Sequence, residues 1–545
     1  MVRKAVILAA GLGTRLRPLT CSVPKPLMPV WGVPMLARIV ELVRGWGVDD
    51  IVVNCHYLHE QVEAWCAANG CRASYEPEIL GTGGVLNPLR DWIGEEAFYL
   101  VNGDIVMDGL DESKPFAESV AAGEIARCLV TEAGPRTIEI EPESGFVTNW
   151  KSDEPGFPGT WTYCGVALLS PQILKYVAPT GFSSIVTAYE RAMADGLFVK
   201  TICPKRFLWT DAGTIASYID VNRDGDENAF ADFPQFAEAD VHHLEFLGAR
   251  GSDRVFFRDE GRVLILFDDA KRGENARYAG HARWLKAQGV PVPAVLQEDA
   301  AHKLLVLEWA GNEKSMSLEE SVQVIKALVS FGALGEKASR ELELEPPFDA
   351  ALYRWERELF AEHCLGTRYR LPLAEDVRRE LEQVAAVLEK EPMALVHRDF
   401  QSTNVLWKNG KLAFIDFQGM RLGSALYDLA SFVYDPYVKR AAKERAALVK
   451  VFAQATGRMD AERCLPFAAV QRLVQCLGAY GRLAAVGQLQ FSKFVLPALE
   501  NLLEVADQAG LEALGALAED LIAREMQSRH PHRHEPGCTC EECIA

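Results

Sequence analysis

Residues 5–30 read AVILAAGLGTRLRPLTCSVPKPLMPV, and this stretch decides the fold of the first half of the chain. Its apolar start, Val6 to Ala10, is typical of a buried β-strand, and a glycine-rich loop follows at once. Glycines after a first strand let backbone N–H groups close on phosphate oxygens. The loop lacks the third glycine of a dinucleotide fingerprint and the Gly-Lys-Ser/Thr of a Walker loop. The candidate phosphate-contacting residues are Gly11, Gly13 and Thr14.

Two cations, Arg15 and Lys25, flank this loop. Such a pair suits a nucleoside triphosphate whose α-phosphorus is attacked while pyrophosphate leaves. The attacking phosphate monoester needs no general base, because its second pKa is about 6 and it is mostly a dianion at neutral pH. Two carboxylates from separate strands, with a divalent cation, would stabilise the pentavalent phosphorus. The candidates are Asp104 and Asp211.

The rest of the first half alternates short apolar strands with amphipathic helices. Apolar positions recur at helical spacing over residues 35–43, whereas residues 51–53 and 98–101 are strand-like. This alternation predicts a mostly parallel sheet with crossover helices, hence an α/β fold. Ligands bind at the carboxyl ends of the strands in such sheets, which is where Gly11 and Asp104 lie.

The composition limits the classes of function. The chain has 545 residues and a formal net charge of -19. Its length predicts two or more domains. The acidic excess argues against nucleic-acid or anionic-membrane partners, and no apolar run approaches the length of a membrane span. The 13 cysteines are scattered through apolar segments, which indicates reduced thiols and a cytoplasmic protein.

The segment from Leu8 to Val30 resembles the signature of the sugar-phosphate nucleotidyltransferases. Further matching segments follow in the family's order: Glu76, Leu80–Gly84, Asn102–Asp104, Tyr163–Gly165 and Trp209–Thr214. The resemblance implies a Rossmann-like N-terminal domain with a mixed, mostly parallel sheet. It also implies that Arg15 grips the β- and γ-phosphates and Lys25 the α-phosphate, while Asp104 and Asp211 hold Mg²⁺.

The same resemblance assigns residues to the nucleobase and ribose. It places Gly81 and Thr82 beside them. Glu76 stands where relatives often carry a glutamine that reads the base, so the choice of base stays open.

The second half carries a pattern that suits phosphoryl transfer. Residues 395–404 read LVHRDFQSTN, and residues 415–418 read IDFQ. One aspartate can accept the proton of an acceptor hydroxyl, while an asparagine five positions later and a second aspartate hold the metals on ATP. The candidates are Asp399 as the base, with Asn404 and Asp416 as metal ligands.

This pattern looks like the aminoglycoside phosphotransferase and choline kinase branch of the kinase-like fold, which implies a bilobal C-terminal domain and a structural role for His397. The resemblance suggests that Gly251, Ser252 and Arg254 belong to the loop over the ATP phosphates. Glu274 is the candidate helix carboxylate, and Glu308 lies in the hinge that reads adenine. The strand at 263–267 lacks the usual phosphate-binding lysine; Arg254 or Lys271 could replace it, and the sequence does not decide between them.

We therefore predict a nucleotidyltransferase domain at 1–230, a kinase-like domain at 243–528 and a His/Cys-rich tail at 529–545. The polar, acidic stretch at 224–228 marks the boundary between the first two. The tail, with HPHRH and CTCEEC, could bind zinc or be an accidental cluster in a disordered end. The oligomeric state is not indicated by the sequence.

The finer resemblance is to anomeric kinases acting on N-acetylmuramate and N-acetylglucosamine, which also tend to lack the strand lysine. The first half is most similar to the uridylyltransferase acting on N-acetylmuramate 1-phosphate. Together they imply a peptidoglycan-recycling enzyme that uses ATP, UTP and Mg²⁺ to turn an amino sugar into a UDP-sugar. The alternatives are choline phosphorylation followed by cytidylyl transfer, a half that is regulatory rather than catalytic, and an antibiotic kinase.

Overall fold

A computed structural model describes residues 2–110, 116, 119–204, 207–223, 225, 236, 243–250, 254–267, 274–485 and 488–529. The chain divides into two compact units, Met1–Glu260 with Leu264–Phe267 and Gly261–Val263 with Asp268–Ala545. This division falls near residue 260, and the sequence predicts the boundary between about 225 and 243. No helix among the described residues is both long enough and apolar enough to cross a bilayer.

The first unit is built on a nine-stranded mixed sheet with helices between its strands. The strands of this part of the chain are β1 (Lys4–Leu8), β2 (Pro29–Val30), β3 (Val33–Pro34), β4 (Asp50–Cys55), β5 (Arg72–Tyr75), β6 (Phe98–Asn102), β7 (Ile105–Asp108), β8 (Glu124–Thr131), β9 (Ile138–Ile140), β10 (Val147–Asn149), β11 (Thr160–Leu169), β12 (Phe198–Ile202) and β13 (Leu208–Asp211). Nine of them form the large sheet, and the other four form two short pairs, β2 with β3 and β7 with β13. Its helices are α1 (Met35–Gly45), α2 (His59–Ala68), α3 (Gly81–Gly84), α4 (Arg90–Ile93), α5 (Ile185–Ala194) and α6 (Ile215–Arg223).

Strand β1 is at the centre of this sheet, parallel to β4 on one side and to β6 on the other. The order is β10-β9-β11-β6-β1-β4-β5, and β8 pairs with β11 and β12. Val6 packs into the core on one face, while Ala5 and Ile7 pack into the core on the other. Burial on both faces explains why the predicted strand is a continuous apolar run. The mixed, mostly parallel sheet is confirmed for this half.

The predicted helix over residues 35–43 is present as α1, with Met35, Leu36, Ile39, Val40 and Val43 buried. These side chains recur every three or four residues, so they form one apolar face against the sheet. The sequence and the structure therefore agree on both the helix and its buried side.

From residue 244 onward the chain combines short antiparallel strands with many helices. Residues 244–308 contribute a five-stranded sheet of order β14-β15-β16-β18-β17. The strands are β14 (Leu244–Arg250), β15 (Arg254–Asp259), β16 (Arg262–Phe267), β17 (Val295–Asp299), β18 (Leu304–Glu308), β19 (Met393–Val396), β20 (Val405–Lys408), β21 (Lys411–Phe414) and β22 (Arg421–Ser424). The helices are α7 (Glu274–Ala287), α8 (Leu318–Gly332), α9 (Gly335–Glu341), α10 (Ala350–Leu359), α11 (Glu375–Leu388), α12 (Ala425–Val433), α13 (Ala442–Thr456), α14 (Ala461–Ala485), α15 (Val495–Ala509) and α16 (Glu512–Arg529).

Helix α14 is held close to the π-helix Phe360–Tyr369 that continues α10. A Cβ atom at Gly478 would lie 2.7 Å from the backbone N of Phe360, and one at Gly481 would meet the carbonyl oxygen of His363. Glycine at both positions lets the two backbones approach. This contact fixes the position of Gln471 and Arg472, which lie about two turns earlier in α14. Of the predicted tail at 529–545, only Arg529 belongs to the described residues.

Candidate active sites

The first candidate site lies at the carboxyl ends of β1 and β6. Leu8 of β1 pairs with Asn102 of β6, and the amide N of Gly103 donates a hydrogen bond to Leu8 O at 2.8 Å. A Cβ at Gly103 would lie 2.9 Å from that oxygen, so glycine permits the close approach. The turn thereby delivers Asp104 to the place where the glycine-rich loop begins.

Four predicted residues meet at this edge of the sheet and are here called the Lys25 cluster: Arg15, Lys25, Asp104 and Asp211. The Nζ atom of buried Lys25 lies 2.6 Å from Asp104 Oδ2 and 3.4 Å from Asp211 Oδ1. The guanidinium of Arg15, which is largely exposed, lies 3.7 Å from Asp211 Oδ2. Strand β13 pairs antiparallel with β7, with Asp211 opposite Ile105, and this pairing brings the two carboxylates together.

The carboxylates of Asp104 and Asp211 fit a hard divalent cation. Both reach one positive centre, the ammonium of Lys25, within 3.4 Å. Carboxylate oxygens are the donors that Mg²⁺ uses in proteins. The two carboxylates are therefore suitable ligands for Mg²⁺. The ammonium of Lys25 marks a point near both of them where a positive charge is stabilised.

An open cleft of about 560 Å³ adjoins this cluster. Arg15, Asp104 and Asp211 line it together with Tyr163 and Trp209, among others. The indole Nε1 of Trp209 donates to Cys164 O at 3.0 Å, which fixes the ring. The volume lies within the range of small-molecule sites, roughly 300–1,000 Å³.

The glycine-rich loop takes a shape that its glycines require. Gly13 has a φ of 61°, in the left-handed region, and its carbonyl oxygen accepts a hydrogen bond from Thr20 Oγ1 at 2.8 Å. A Cβ at Gly13 would lie 3.0 Å from Thr20 Cγ2. Gly11 faces open space, since nothing lies within 4 Å of a Cβ built there. Thr14 begins a 3-10 turn that contains Arg15.

Glu76 follows β5 and is buried, with both carboxylate oxygens used inside the protein. Asn54 Nδ2 donates to Oε1 at 2.7 Å, and the backbone N of Leu80 donates to Oε2 at 3.0 Å. Asn54 also accepts from the backbone N of Ala9, at the end of β1, at 2.6 Å. Glu76 therefore ties the turn before α3 to the sheet edge at which the site lies.

Gly81 and Thr82, at the start of α3, contact the segment before α5. Gly81 has a φ of 76°, and a Cβ there would lie 2.7 Å from Ser183 O. The Oγ1 atom of Thr82 accepts a hydrogen bond from the backbone N of Ile185 at 3.0 Å, at the first turn of α5. These contacts position the α3 turn; none of them involves the Lys25 cluster.

The second candidate site surrounds the loop after β19. Asp399 lies there, and its carbonyl oxygen accepts from Asn404 Nδ2 at 2.8 Å. The backbone N of Ile415 donates to Asn404 O at 3.1 Å, which brings Asp416 next to the loop. Asp416 has a φ of 67°, and its Oδ1 accepts from Gln418 Nε2 at 3.0 Å. The three predicted residues are therefore brought together.

One amide and one carboxylate next to each other fit a metal that prefers oxygen ligands. The amide nitrogen of Asn404 is engaged by the carbonyl of Asp399, so its oxygen is the atom that can face a cation. Asn404 and Asp416 are accordingly the residues that could hold a divalent cation such as Mg²⁺.

The carboxylate of Asp399 contacts a buried arginine that sequence analysis missed. Arg472 of α14 places its Nη1 3.0 Å from Asp399 Oδ1. Burial opposes ionisation of Asp399, but the guanidinium groups of Arg472 and Arg398 outweigh it and hold the pKa of Asp399 below its usual range. The side chain of Asp399 is still 41% exposed, so the hydroxyl group of a substrate can reach it.

The backbone of the same loop is held by Asp428 of α12. Its two carboxylate oxygens accept from the backbone N of His397 at 2.6 Å and of Arg398 at 2.9 Å. Burial raises the pKa of Asp428 to about 7, against the two hydrogen bonds that favour its ionised form. Arg398 has a φ of 78°, so these hydrogen bonds hold a backbone conformation that few residues adopt.

His397 and Glu356 complete the surroundings of the loop. The Nε2 atom of His397 lies 2.9 Å from Ile415 O, and burial lowers the pKa of this histidine, which keeps it neutral. Glu356 of α10 is fully buried and accepts from Gln471 Nε2 at 2.8 Å and from the hydroxyl of Tyr427 at 3.2 Å. Burial raises the pKa of Glu356 as well.

The predicted ATP-contacting residues upstream are only partly described. Arg254, at the start of β15, is buried with its guanidinium 5.6 Å from the Phe256 ring centroid. Glu308 ends β18 and is exposed, with its backbone N bonded to Ala294 O at 2.9 Å. Gly251, Ser252 and Lys271 lie outside the described residues. The replacement for the strand lysine therefore stays open between Arg254 and Lys271.

A weak sequence signal for Arg472 exists. Leu465, Ala469 and Cys476 occupy the apolar face of α14 at helical spacing, and Arg472 falls on the same face. A charged residue on a buried face needs a partner, because burying an unpaired charge is costly. The sequence shows the need but not the partner, since Asp399 is 73 residues away.

Two family models match the chain, one in each half. Residues 4–138 match the nucleotidyl transferase family, and residues 243–467 match the phosphotransferase enzyme family. The chain joins a nucleotidyltransferase domain to a phosphotransferase domain. The second match begins at the residue where the sequence predicts the kinase-like domain to start. The α/β and kinase-like fold classes are thus confirmed, as is the assignment of both halves to enzyme families.

Known proteins similar to this chain align with about 40% of its length. Mannose-1-phosphate guanylyltransferase 1 of Arabidopsis thaliana is 30% identical over 239 residues, which cover 40% of this chain and 63% of that protein. The UTP–glucose-1-phosphate uridylyltransferase of Synechocystis is 26% identical over 249 residues, 39% of this chain and 61% of that protein. The chain thus spans less than two thirds of these relatives.

Solved structures also align with part of the chain. The inositol-1-phosphate CTP transferase from T. maritima has a TM-score of 0.35 at 18% identity, covering 40% of this chain and 91% of that one. The UDP-glucose pyrophosphorylase from Acinetobacter baumanii has a TM-score of 0.34 at 15% identity, covering 43% and 95%.

Proposed function

We propose that this chain is a bifunctional enzyme that phosphorylates the anomeric hydroxyl of an amino sugar with ATP and then transfers a uridylyl group from UTP. The sugar is N-acetylmuramate, N-acetylglucosamine or both, and the products are a UDP-sugar and pyrophosphate. The observation that carries the proposal is that one chain holds both sets of residues, the Lys25 cluster and the Asp399 loop. A sugar 1-kinase makes the substrate that a sugar-1-phosphate nucleotidyltransferase consumes, so the two halves would carry out consecutive steps. With an amino sugar as the substrate, we propose that these steps belong to peptidoglycan recycling.

In the first step Asp399 accepts the proton of the anomeric hydroxyl. The hydroxyl oxygen of the sugar bonds to the γ-phosphorus of ATP, and ADP leaves. Asn404 and Asp416 would hold Mg²⁺, which would supply positive charge to neutralise the ATP phosphates. Gly251, Ser252 and Arg254 contact those phosphates, and the segment at Glu308 contacts adenine. The neighbouring guanidinium groups hold the pKa of Asp399 below its usual range, so the carboxylate that accepts the proton is in its ionised form.

In the second step an oxygen of the sugar 1-phosphate attacks the α-phosphorus of UTP and pyrophosphate leaves. No proton has to be removed, so the work of the site is positioning and charge neutralisation. Lys25 stabilises the α-phosphate, and Arg15 binds the departing phosphates. Asp104 and Asp211 would hold Mg²⁺, while Gly11, Gly13 and Thr14 contact phosphate through the backbone.

The nucleotide base is the least constrained part of the proposal. Gly81 and Thr82 lie beside the base and ribose, and the turn that Glu76 supports shapes that subsite. The carboxylate of Glu76 is already bonded to Asn54 and Leu80, so base selection acts through the turn rather than through free carboxylate oxygens. Relatives named as guanylyl and uridylyl transferases make GTP the competitor to test against UTP.

The test is mass spectrometry of the purified protein with Mg²⁺, ATP and one of UTP, GTP or CTP. N-acetylmuramate, N-acetylglucosamine, mannose, glucose and choline are offered in turn. A new UDP-amino-sugar mass supports the proposal. CDP-choline or a GDP-sugar would overturn the substrate assignment, and a sugar phosphate that is never converted further would exclude the second step.

A further inference from the structure

The carboxylate of Asp399 has two oxygens in different surroundings. Oδ1 accepts a hydrogen bond from Arg472 Nη1 at 3.0 Å. No hydrogen bond to Oδ2 is found from the part of the chain that the structure describes, and the side chain is 41% exposed. One oxygen is thus held by the protein and the other faces the open side of the loop.

Arg472 is itself fixed by several contacts. Its side chain is only 6% exposed, its Nη1 also donates to Gln475 Oε1 at 2.6 Å, and its Nη2 donates to Gln401 Oε1 at 3.4 Å. The guanidinium lies 6.0 Å from the ring centroid of Tyr427. These contacts leave the arginine little freedom to turn toward a ligand.

The helix that carries Arg472 is also rigidly placed. The glycines at 478 and 481 let α14 pack directly on the π-helix Phe360–Tyr369. The neighbouring Gln471 donates to buried Glu356 at 2.8 Å, which adds a second fixed point one residue before Arg472. A guanidinium anchored in this way defines the direction of the carboxylate that it binds.

We propose that Arg472 is a positioning residue for phosphoryl transfer: it holds Oδ1 of Asp399 so that Oδ2 faces the acceptor hydroxyl. This inference rests on the proposed kinase activity of the second domain. Arg472 acts through Asp399 and does not contact the acceptor. Substitution of Arg472 therefore lowers kcat for sugar phosphorylation without changing the KM values for ATP and sugar.

The experiment compares Arg472→Met, Arg472→Lys and the control Arg357→Met in the full chain. Arg357 is equally buried, but its carboxylate neighbour is Glu382 of α11, at 3.6 Å. We expect Arg472→Met to lose about 100-fold in kcat, because small misplacements of reacting groups cost about that much. Arg472→Lys should recover part of this loss, and Arg357→Met should lower Tm but leave kcat within about twofold of the wild type.

A double-mutant cycle shows whether the effect passes through Asp399. In an Asp399→Ala background, Arg472→Met should cause no further loss of the residual kcat, because the group that it positions is already gone. An equal 100-fold loss in that background would overturn the inference. A raised KM for the sugar, largest for acidic sugars, would instead make Arg472 a substrate-binding residue and would also overturn it.

The remaining outcomes separate this inference from the proposed function. If Arg472→Met lowers Tm but keeps wild-type kcat, Arg472 is only structural and the inference fails while the kinase assignment stands. If the wild type phosphorylates no sugar, the proposed kinase activity fails and the inference fails with it.

Discussion

The two candidate sites differ in where their stabilising charges come from. In the first unit Lys25 and Arg15 contact Asp104 and Asp211 directly, and all four belong to sequence motifs. In the second unit the partner of Asp399 is Arg472, which belongs to no motif. In the first site the candidate functional groups form ion pairs with one another. In the second site the candidate base, Asp399, is held in place by a residue outside the motif, Arg472.

This difference follows from the chemistry proposed for each site. A nucleotidyl transfer without a general base needs charges placed in advance around the phosphates, and in the first site these charges pair with one another. A hydroxyl acceptor needs one carboxylate in a fixed direction, which requires a supporting structure around it. Asp428, Glu356 and Arg472 provide that structure, from three different helices.

The largest expected effect tests whether the two sites are independent. Asp399→Ala should lower sugar phosphorylation by about 10²–10⁴-fold, the usual contribution of a general base, and leave uridylyl transfer from added sugar 1-phosphate unchanged. Asp104→Ala should do the reverse, because it removes a ligand of the divalent cation. Separate assays of each half-reaction measure both. Loss of both reactions in either variant would contradict the comparison.

Lys25 should have two opposite effects on its site. Lys25→Met should lower uridylyl transfer by about 10²–10³-fold, as expected when a charge-stabilising group is lost. The same substitution should tighten Mn²⁺ binding to the nucleotide-free protein by about tenfold, because the ammonium no longer competes for Asp104 and Asp211. Electron paramagnetic resonance titration measures free Mn²⁺.

The controls for this titration are Lys25→Met combined with Asp104→Asn, and Arg15→Met alone. The double variant should lose the added affinity, which assigns it to this site. Arg15 is more exposed and more distant from the carboxylates, so its substitution should change Mn²⁺ affinity less. Unchanged Mn²⁺ affinity in Lys25→Met would contradict the mutual pairing of charges.

Glu356 tests the supporting structure of the second site. Glu356→Ala should lower the free energy of unfolding by about 2–5 kcal/mol, because Tyr427 and Gln471 lose a buried acceptor. Glu356→Gln should cost less than half as much, since burial already raises the pKa of this carboxyl and an amide keeps one acceptor. Urea unfolding followed by fluorescence measures both. A smaller loss in the alanine variant than in the glutamine variant would refute this account.

Asp428 should give the smallest effect, a dependence of stability on pH. Its pKa rises from 3.8 to about 7 on folding, so the folded state binds the proton more tightly than the unfolded state. The stabilisation is complete below about pH 4 and is lost as the pH rises through about 7. At about 1.4 kcal/mol per pH unit, it amounts to at most about 4 kcal/mol.

Asp428→Asn removes this titration and provides the measurement. The difference in unfolding free energy between wild type and variant should fall between pH 4 and pH 7 and then level off. A difference that does not change with pH would show that the two backbone donors keep Asp428 ionised throughout.

Much of the first site could be predicted from sequence. The glycine-rich loop, Lys25 and the aspartates are marked by short motifs, and the parallel strands bring them to one sheet edge. The contacts of Glu76 could not be predicted, because its position in a motif does not tell whether the carboxylate faces a ligand or the protein. In the structure it accepts hydrogen bonds from Asn54 and Leu80. That choice depends on which donors the neighbouring strand presents.

The sequence by itself determined the two enzyme classes, the α/β character and the principal charged residues of both sites. These depend on local patterns: strand, turn and glycine requirements operate over a few residues. The tertiary structure alone decided that Arg472 binds Asp399, that Asp428 holds the backbone of the same loop, and that Lys25 lies between two carboxylates. These pairings join residues 30 or more positions apart, and only packing of the whole unit determines which buried charges meet.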